Sequence, residues 1–506
     1  MAEAMNLAAL LAAGADDEPA LLAPGRPTLS HGRRRGLAAA TAARLNDLGI
    51  GRGDVVAIVL DNGPAMATTF LAAAAAAAAA PLNPAYTADE LAFYLDDLGA
   101  RAVLVRAGDD GPARRVARAR GIAVIELTES PADPAGLFTL GGVHAPANRP
   151  GPGEADDVAL ILHTSGTTSR PKMVPLTQRN LAASARNVVA TLGLGPADRC
   201  LQVMPLFHIH GLVATLLAPL AAGGSVACSG GFNALRFFAQ LDQLRPTWCS
   251  AVPTMHQAVL ARADRNREVL GRCRLRFLRS SSASLPPQVM AALEAAFGCP
   301  VIESYGMTEA AHQMTSNPLP PAPRKPGTVG VAAGPEVAIM DGAGVLLPAG
   351  SRGEVVIRGD SVTGGYAANP DANAKAFTSG WFRTGDEGVL DDDGYLTITG
   401  RLKEIINRGG EKVSPLEVDE VLMDHPAIAQ VVTFAMPHAK LGEEVACAVV
   451  LREGMVVVEQ EIRSFASGRL ADFKVPRRVV ILEEIPKGAT GKLQRIGLAA
   501  KLGLGA

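Results

Sequence analysis

VALILHTSGTTSRPK, running from Val158 to Lys172, joins an apolar run to a turn made of small hydroxyls, a single glycine and the cations Arg170 and Lys172. The apolar part, Val158 to Leu162, reads as a buried strand. Behind it, Thr164, Ser165, Gly166, Thr167 and Thr168 put little bulk between the backbone amides and an approaching anion, so the amides are free to converge on phosphate-like oxygens. The turn is not a Walker A loop: counted from Gly166, the second glycine falls on Pro171 and the closing Ser/Thr on Met173. Taken alone the stretch is equally a polar surface turn. Its meaning depends on what surrounds it.

Outward from this point, strand-like runs alternate with helical ones: VVAIVL from Val55, AVLVRA from Ala102 and GGSVACS from Gly223. The alternation predicts an α/β fold of βα units on largely parallel sheets. Ala72 to Ala80 is an unbroken alanine run ending at Pro81; it is far shorter than the roughly 20 apolar residues of a membrane span and predicts a buried, closely packed helix. NPLPPAPRKPG from Asn317 reads as an ordered crossover loop before a β-rich region holding GEVVIRG and YLTITG. After Gly400 the pattern restarts as a small α+β unit. Ser414-Pro415-Leu416-Glu417 predicts a helix capped by Ser414 and stopping near Pro426; strands VVTFAM, VACAVVL and RRVVIL follow, with a helical EQEIRSFASGRLADF among them. We therefore expect residues 1–400 to form a large N-terminal domain with a β-rich subdomain, and residues 401–506 a small mobile lid.

Composition narrows the function classes. The 506 residues are 48% hydrophobic and 19% charged, which fits a globular chain rather than a disordered one. With 48 basic against 50 acidic side chains the net charge is −2, so the basic footprint of a nucleic-acid binder is missing. The six cysteines never form a C-x-x-C pair, pointing away from zinc knuckles and disulfide frameworks and toward a reducing compartment. No basic segment leads into an apolar core and cleavage site at the N-terminus. The expectation is a cytoplasmic monomer or homodimer acting on small molecules, without a membrane partner.

Further motifs decide the reading of the opening stretch: YGMTE from Tyr305, GWFRTGD ending at Asp386, GRLKEIINRGGEKVSP from Gly400 and PKGATGKLQR from Pro486. In this order, with the hydroxyl-rich loop, they resemble the adenylate-forming superfamily of acyl-CoA synthetases, luciferases and peptide-synthetase adenylation domains. The resemblance implies a two-step reaction with ATP and CoA as co-substrates and Mg²⁺ as cofactor: a carboxylate attacks the α-phosphate of ATP, and a thiol then displaces AMP. No protein nucleophile is required, so positioning and charge stabilisation supply the rate.

The same resemblance assigns roles. Thr164, Ser165, Gly166, Thr167, Thr168 and Lys172 correspond to the loop that holds the outer phosphates; Ser169 and Met173 stand where the superfamily has glycines. Glu309 corresponds to the Mg²⁺ ligand, Tyr305 to the residue near adenine, and Thr308 to a further nucleotide contact. Asp386 would accept the ribose hydroxyls and Arg401 would lie beside ribose and phosphate. Lys492 would reach from the lid to the reacting carboxylate and α-phosphate. Lys403 occupies the hinge position, and Gly409 and Gly410 the wall of a pantetheine tunnel.

For the acid, HTSGTTSRPKMVPLTQRNL, MPLFHIHGL, SAVPTMHQ, FLRSSSASL and YGMTEAAHQMTSNPLP resemble the oxalate-CoA ligase branch. The resemblance implies Ser282, Ser284 and His312 as oxalate contacts and His208 at the pocket entrance. Arg279 would equally serve the distal carboxylate or a structural pairing, and Ser281 is an additional serine in the run. A small dianion needs donors, where a fatty chain needs apolar walls; FLRSSSASL offers Ser282 and Ser284, TEAAH offers His312, and PLFHIHGL offers His208 and His210. Competing readings are a malonyl- or other short-acyl-CoA synthetase, a luciferase-like oxygenase and a noncatalytic adenylate-binding module.

Overall fold

A computed structural model describes residues 6–164, 171–487 and 493–504. Ser165, Gly166, Thr167, Thr168 and Lys492 lie outside the described residues, so the roles expected of them have no geometry below.

The described residues form an α/β structure with four sheets. In the first, Ala123–Thr128, Ala102–Arg106, Val55–Ile58, Ala78–Pro81 and Val158–Thr164 run parallel in that spatial order. Lys172–Thr177 folds back antiparallel on Val158–Thr164, pairing Thr164 with Lys172 across the mouth of the hydroxyl-rich turn. In the second, Val301–Met307, Phe277–Ser280, Trp248–Ala251, Arg199–Gln202 and Ser225–Cys228 are consecutive parallel neighbours. The strand-like runs read from the sequence are thus strands, parallel as the alternation predicts.

The alanine run departs from its expected helix. The helix Pro64–Ala74 stops inside it, and Ala78–Pro81 is a buried strand between Val55–Ile58 and Val158–Thr164. Alanine favours a helix locally, but a proline biases the residue before it toward extended backbone. A strand covered on both faces also has room for methyl groups where helices press closely on it. Burial was read correctly; the element was not.

A third, antiparallel sheet includes Glu336–Met340, Arg352–Arg358, Trp381–Leu390 and Leu396–Arg401. The last sheet belongs to a smaller α+β unit built from Ile406–Arg408, Glu411–Val413, Ile428–His438, Gly442–Leu451 and Arg478–Ile481. Its helix Pro415–Met423 carries proline in the first turn as predicted. Ser414, however, makes no side-chain cap; its hydroxyl donates to the Thr399 carbonyl instead. Glu417 likewise turns outward, to Lys474 at 2.5 Å. No helix among the described residues is long and apolar enough to cross a membrane.

Candidate active site

Parallel strands present their C-terminal ends together, and ligands in α/β sheets bind beyond those ends. Two groups of side chains gather there.

The first surrounds Lys172 and Glu309. Glu309 lies in the short 3₁₀ turn Thr308–Ala310 and is buried. Its Oε1 accepts from the Tyr366 hydroxyl at 2.9 Å, and the Lys172 ammonium sits 4.2 Å from the centre of the same ring. The Tyr366 segment is tied down on both sides: Thr363 N–H donates to the Glu309 carbonyl at 2.7 Å and Ala367 N–H to the Met173 carbonyl at 3.0 Å. Burial pushes the Glu309 carboxyl up, opposed by the Tyr366 donor and the Lys172 charge. Burial also pulls Lys172 down, assisted by the exposed Lys403 cation and opposed by Glu309. Tyr366 was missed at the level of sequence; its T-G-G-Y setting, a lone ring after paired glycines, was the available signal.

Beside it, Asp386 and Arg401 are register partners on adjacent antiparallel strands. Arg401 Nε donates to Asp386 Oδ1 at 2.8 Å, and the Tyr305 hydroxyl donates to Asp386 Oδ2 at 2.5 Å. Each carboxylate oxygen keeps further acceptor capacity for a sugar hydroxyl. Burial, then the Asp386 charge, pushes the Tyr305 phenol far up, so it stays a donor. Glu309 supplies one buried carboxylate, and no cluster of three or more His, Cys, Asp or Glu able to hold a metal exists among the described residues. That donor set fits a Mg²⁺ that takes most of its oxygens from phosphates and water.

The second group is polar and deep. Ser250 and Arg279 are register partners on adjacent parallel strands, which puts both side chains on one face. Arg279 is fully buried. Its Nη1 lies 3.3 Å from Ser250 Oγ and 3.1 Å from His312 Nε2, and its Nη2 donates to Gln313 Oε1 at 3.1 Å. His210, at the start of a π-helical turn, stacks on His312 with centroids 4.9 Å apart. It places Nε2 2.7 Å from Ser250 Oγ and Nδ1 3.2 Å from Ser282 Oγ. Backbone strain concentrates here: Ser282 and His312 have φ of +77° and +108°, which non-glycine residues rarely adopt. π-Turns and such strain cluster at functional sites.

Of the expected acid contacts, Ser282 and His312 join this group, His208 lies half-buried at its edge, and Ser284 is exposed. Ser281 is buried and donates to the Ser304 carbonyl at 3.1 Å, tying the end of Phe277–Ser280 to the neighbouring strand. His210, one of the two donors that PLFHIHGL offers, is a member, whereas Ser250 and Gln313 were not anticipated. Gly409 and Gly410, with φ of +60° and +104°, make the two-residue turn joining Ile406–Arg408 to Glu411–Val413, a hairpin geometry that itself calls for glycine.

Comparison with known proteins matches this arrangement. The chain is 46% identical over 491 residues to an oxalate–CoA ligase of Arabidopsis thaliana, covering 95% of this chain and 94% of that protein. It is 42% identical over 470 residues to an oxalate–CoA ligase of Saccharomyces cerevisiae, covering 88% and 86%. The crystal structure of ATP-bound MatB from Rhodopseudomonas palustris superposes with a TM-score of 0.87 at 29% identity, covering 98% of this chain and 99% of that one. Residues 11–367 match the model of the AMP-binding enzyme family and residues 417–492 that of the AMP-binding enzyme C-terminal domain. Both parts of the chain, the body with its buried Glu309 and the smaller unit after it, belong to the AMP-binding enzyme family.

Proposed function

We propose that the chain is an AMP-forming acid–CoA ligase and that its acid is oxalate. One oxalate oxygen attacks the α-phosphorus of ATP, the bond to the β-phosphate oxygen breaks, and pyrophosphate leaves. The CoA thiol then loses its proton to solvent, its sulfur bonds to the carbonyl carbon of the oxalyl-adenylate, and the bond from that carbon to the phosphate oxygen breaks as AMP departs with the electron pair.

In this reading Thr164, the loop through Thr168 and Lys172 receive the outer phosphates, Asp386 accepts from the ribose and Arg401 lies beside it. Tyr305 and Thr308 border the nucleotide. Glu309 would hold Mg²⁺, which neutralises charge on the phosphates when bound. Lys492 offsets negative charge between acid and α-phosphate. Residues 401–506 move as a lid about Lys403, withdrawing Lys492 and bringing Gly409 and Gly410 to the pantetheine arm. Neither step needs a protein nucleophile.

The observation that carries the acid is the deep polar group. Arg279, His210, His312, Ser250 and Ser282 meet where a fatty acid would need apolar walls. A small acid with a second anionic group suits such donors, and the named function of the two relatives supports oxalate. The test is a panel of oxalate, malonate, acetate and longer acids, assayed for AMP and thioester with and without CoA. Oxalate-dependent AMP with oxalyl-CoA as product is expected; exclusive turnover of malonate or longer acids rejects oxalate.

A further inference from the structure

Arg279 is the one fully buried large cation in the described core, and no carboxylate among the described residues pairs with it. Its Nε has no hydrogen-bond partner. A guanidinium buried without a carboxylate partner is costly to stability. Burial accordingly pulls its pKa down to about 9. A charge held at that cost invites the question of what it does.

A guanidinium has donors and no acceptor. Facing Arg279 Nη1 at 3.1 Å, His312 Nε2 must therefore be the unprotonated nitrogen, which leaves the proton on Nδ1. Ser250 Oγ accepts from the same nitrogen, so its own proton is directed to His210 Nε2, 2.7 Å away. His210 then carries its proton on Nδ1 and donates to Ser282 Oγ at 3.2 Å. Ser282, having accepted, turns its O–H onward. Each bond in the chain is polarised in one direction, away from the buried charge, and such chains strengthen one another in a low dielectric. The His256 ring, fully buried and neutral because burial lowers it to about 4, holds the Arg279 carbonyl at 3.0 Å and keeps the strand in place.

Resting on the reading of the site as an acid pocket, we infer that Arg279 is a specificity-determining positioning residue. It touches no substrate, yet it orients His312 Nδ1–H and the Ser282 hydroxyl as donors and lends the pocket the positive potential that selects an acid with a second carboxylate.

The test compares the full-length wild type with Arg279→Gln and Arg279→Lys, measuring pyrophosphate release at saturating ATP against oxalate. It is repeated with glyoxylate, which replaces the second carboxylate by an aldehyde and is read as a substrate or as a competitive inhibitor of oxalate turnover. Arg279→Gln is expected to raise the KM for oxalate about 50-fold while kcat changes within about 5-fold, the pattern of lost binding rather than lost chemistry. The glyoxylate constant should stay within about 3-fold, because a single carboxylate draws less on the buried charge. Arg279→Lys, which keeps the charge but loses the fork, should hold the oxalate loss to about 10-fold. Equal losses for both acids, or an unchanged oxalate KM in Arg279→Gln, overturn the inference. Unchanged ATP affinity by calorimetry shows that each variant is folded; should Arg279→Gln fail to fold, Arg279→Lys decides by the same two outcomes. Wild type that ignores oxalate but uses malonate rejects only the choice of acid, and the ratio is then read for malonate against propionate. Wild type that uses no dicarboxylate rejects both.

Discussion

The Tyr366 hydroxyl donates to Glu309 Oε1 at 2.9 Å while the Lys172 ammonium rests 4.2 Å over the same ring. One aromatic side chain thus spaces a buried carboxylate from the cation that emerges beside the hydroxyl-rich turn. Tyr366→Phe keeps the ring and removes the donor, so the expected loss is that of one hydrogen bond to a charged acceptor, about 10- to 100-fold in pyrophosphate release. Tyr366→Ala also removes the platform under Lys172 and should cost more. A Phe variant with wild-type rates would show that the bond is incidental.

Gly306 marks a close approach. A Cβ placed there would lie 1.7 Å from the His312 carbonyl oxygen and 2.6 Å from its carbon, both backbone atoms. Gly306→Ala must push apart the strands Val301–Met307 and His312–Ser316, and overpacking of this kind costs about 1–3 kcal/mol or more. A lowered melting temperature should accompany a larger loss of acid-dependent than of ATP-binding function, because His312 moves first. An unaltered melting temperature would contradict the predicted clash.

Arg495 gathers two carboxylates: Nη1 meets Asp419 Oδ2 at 2.7 Å and Nε meets Glu404 Oε2 at 3.3 Å. It ties the segment beyond Leu493 both to the helix Pro415–Met423 and to the turn after Lys403. Arg495→Met strands both acids, at a cost of about 3 kcal/mol for a largely buried pairing. Adenylation should slow more than thioester formation from supplied acyl-adenylate, since Lys492 lies three residues earlier in the chain. Equal slowing of the two half-reactions would argue that the tie serves stability alone.

Glu303 gives a pH prediction. It is buried, one oxygen accepts the Leu285 N–H at 2.9 Å, and the other has no partner. Burial pushes its pKa up from 4.5 to about 8. The folded state then holds a proton that the unfolded chain releases, so its stabilising contribution is full below the unfolded pKa and is lost as pH rises toward about 8. Melting curves at pH 5 and pH 8.5 should differ less for Glu303→Gln than for wild type, by on the order of 2–4 kcal/mol in stability. Identical pH responses of the two proteins would mean that Glu303 is ionised in the fold.

How far the sequence was legible depends on whether the relevant contacts are local. The strand before the hydroxyl-rich turn and the helix after Ser414 follow from patterns within a few tens of residues, and both are present; the pairing of Asp386 with Arg401 emerges only from the strand register. The deep polar group was only half visible. His210, Ser250, Arg279 and His312 come from separate elements, and only the spatial order of the parallel strands brings Ser250 beside Arg279. The resemblance put Ser284 beside Ser282 as an acid contact, but the backbone at Ser282 is left-handed and Ser284 is exposed. Ser414 failed as a cap for a similar reason: a carbonyl from a preceding strand, Thr399, claims its hydroxyl.

The alanine strand also bears on the hydroxyl-rich turn. Ala79 is the register neighbour of Leu160, so the rail bearing Thr164 lies directly against a strand whose first three side chains are single methyls. Those methyls act as a gauge for the thickness of the layer. Enlarging one of them would tilt the rail and shift the mouth of the turn, so loss of function should be inheritable from positions that never approach a nucleotide.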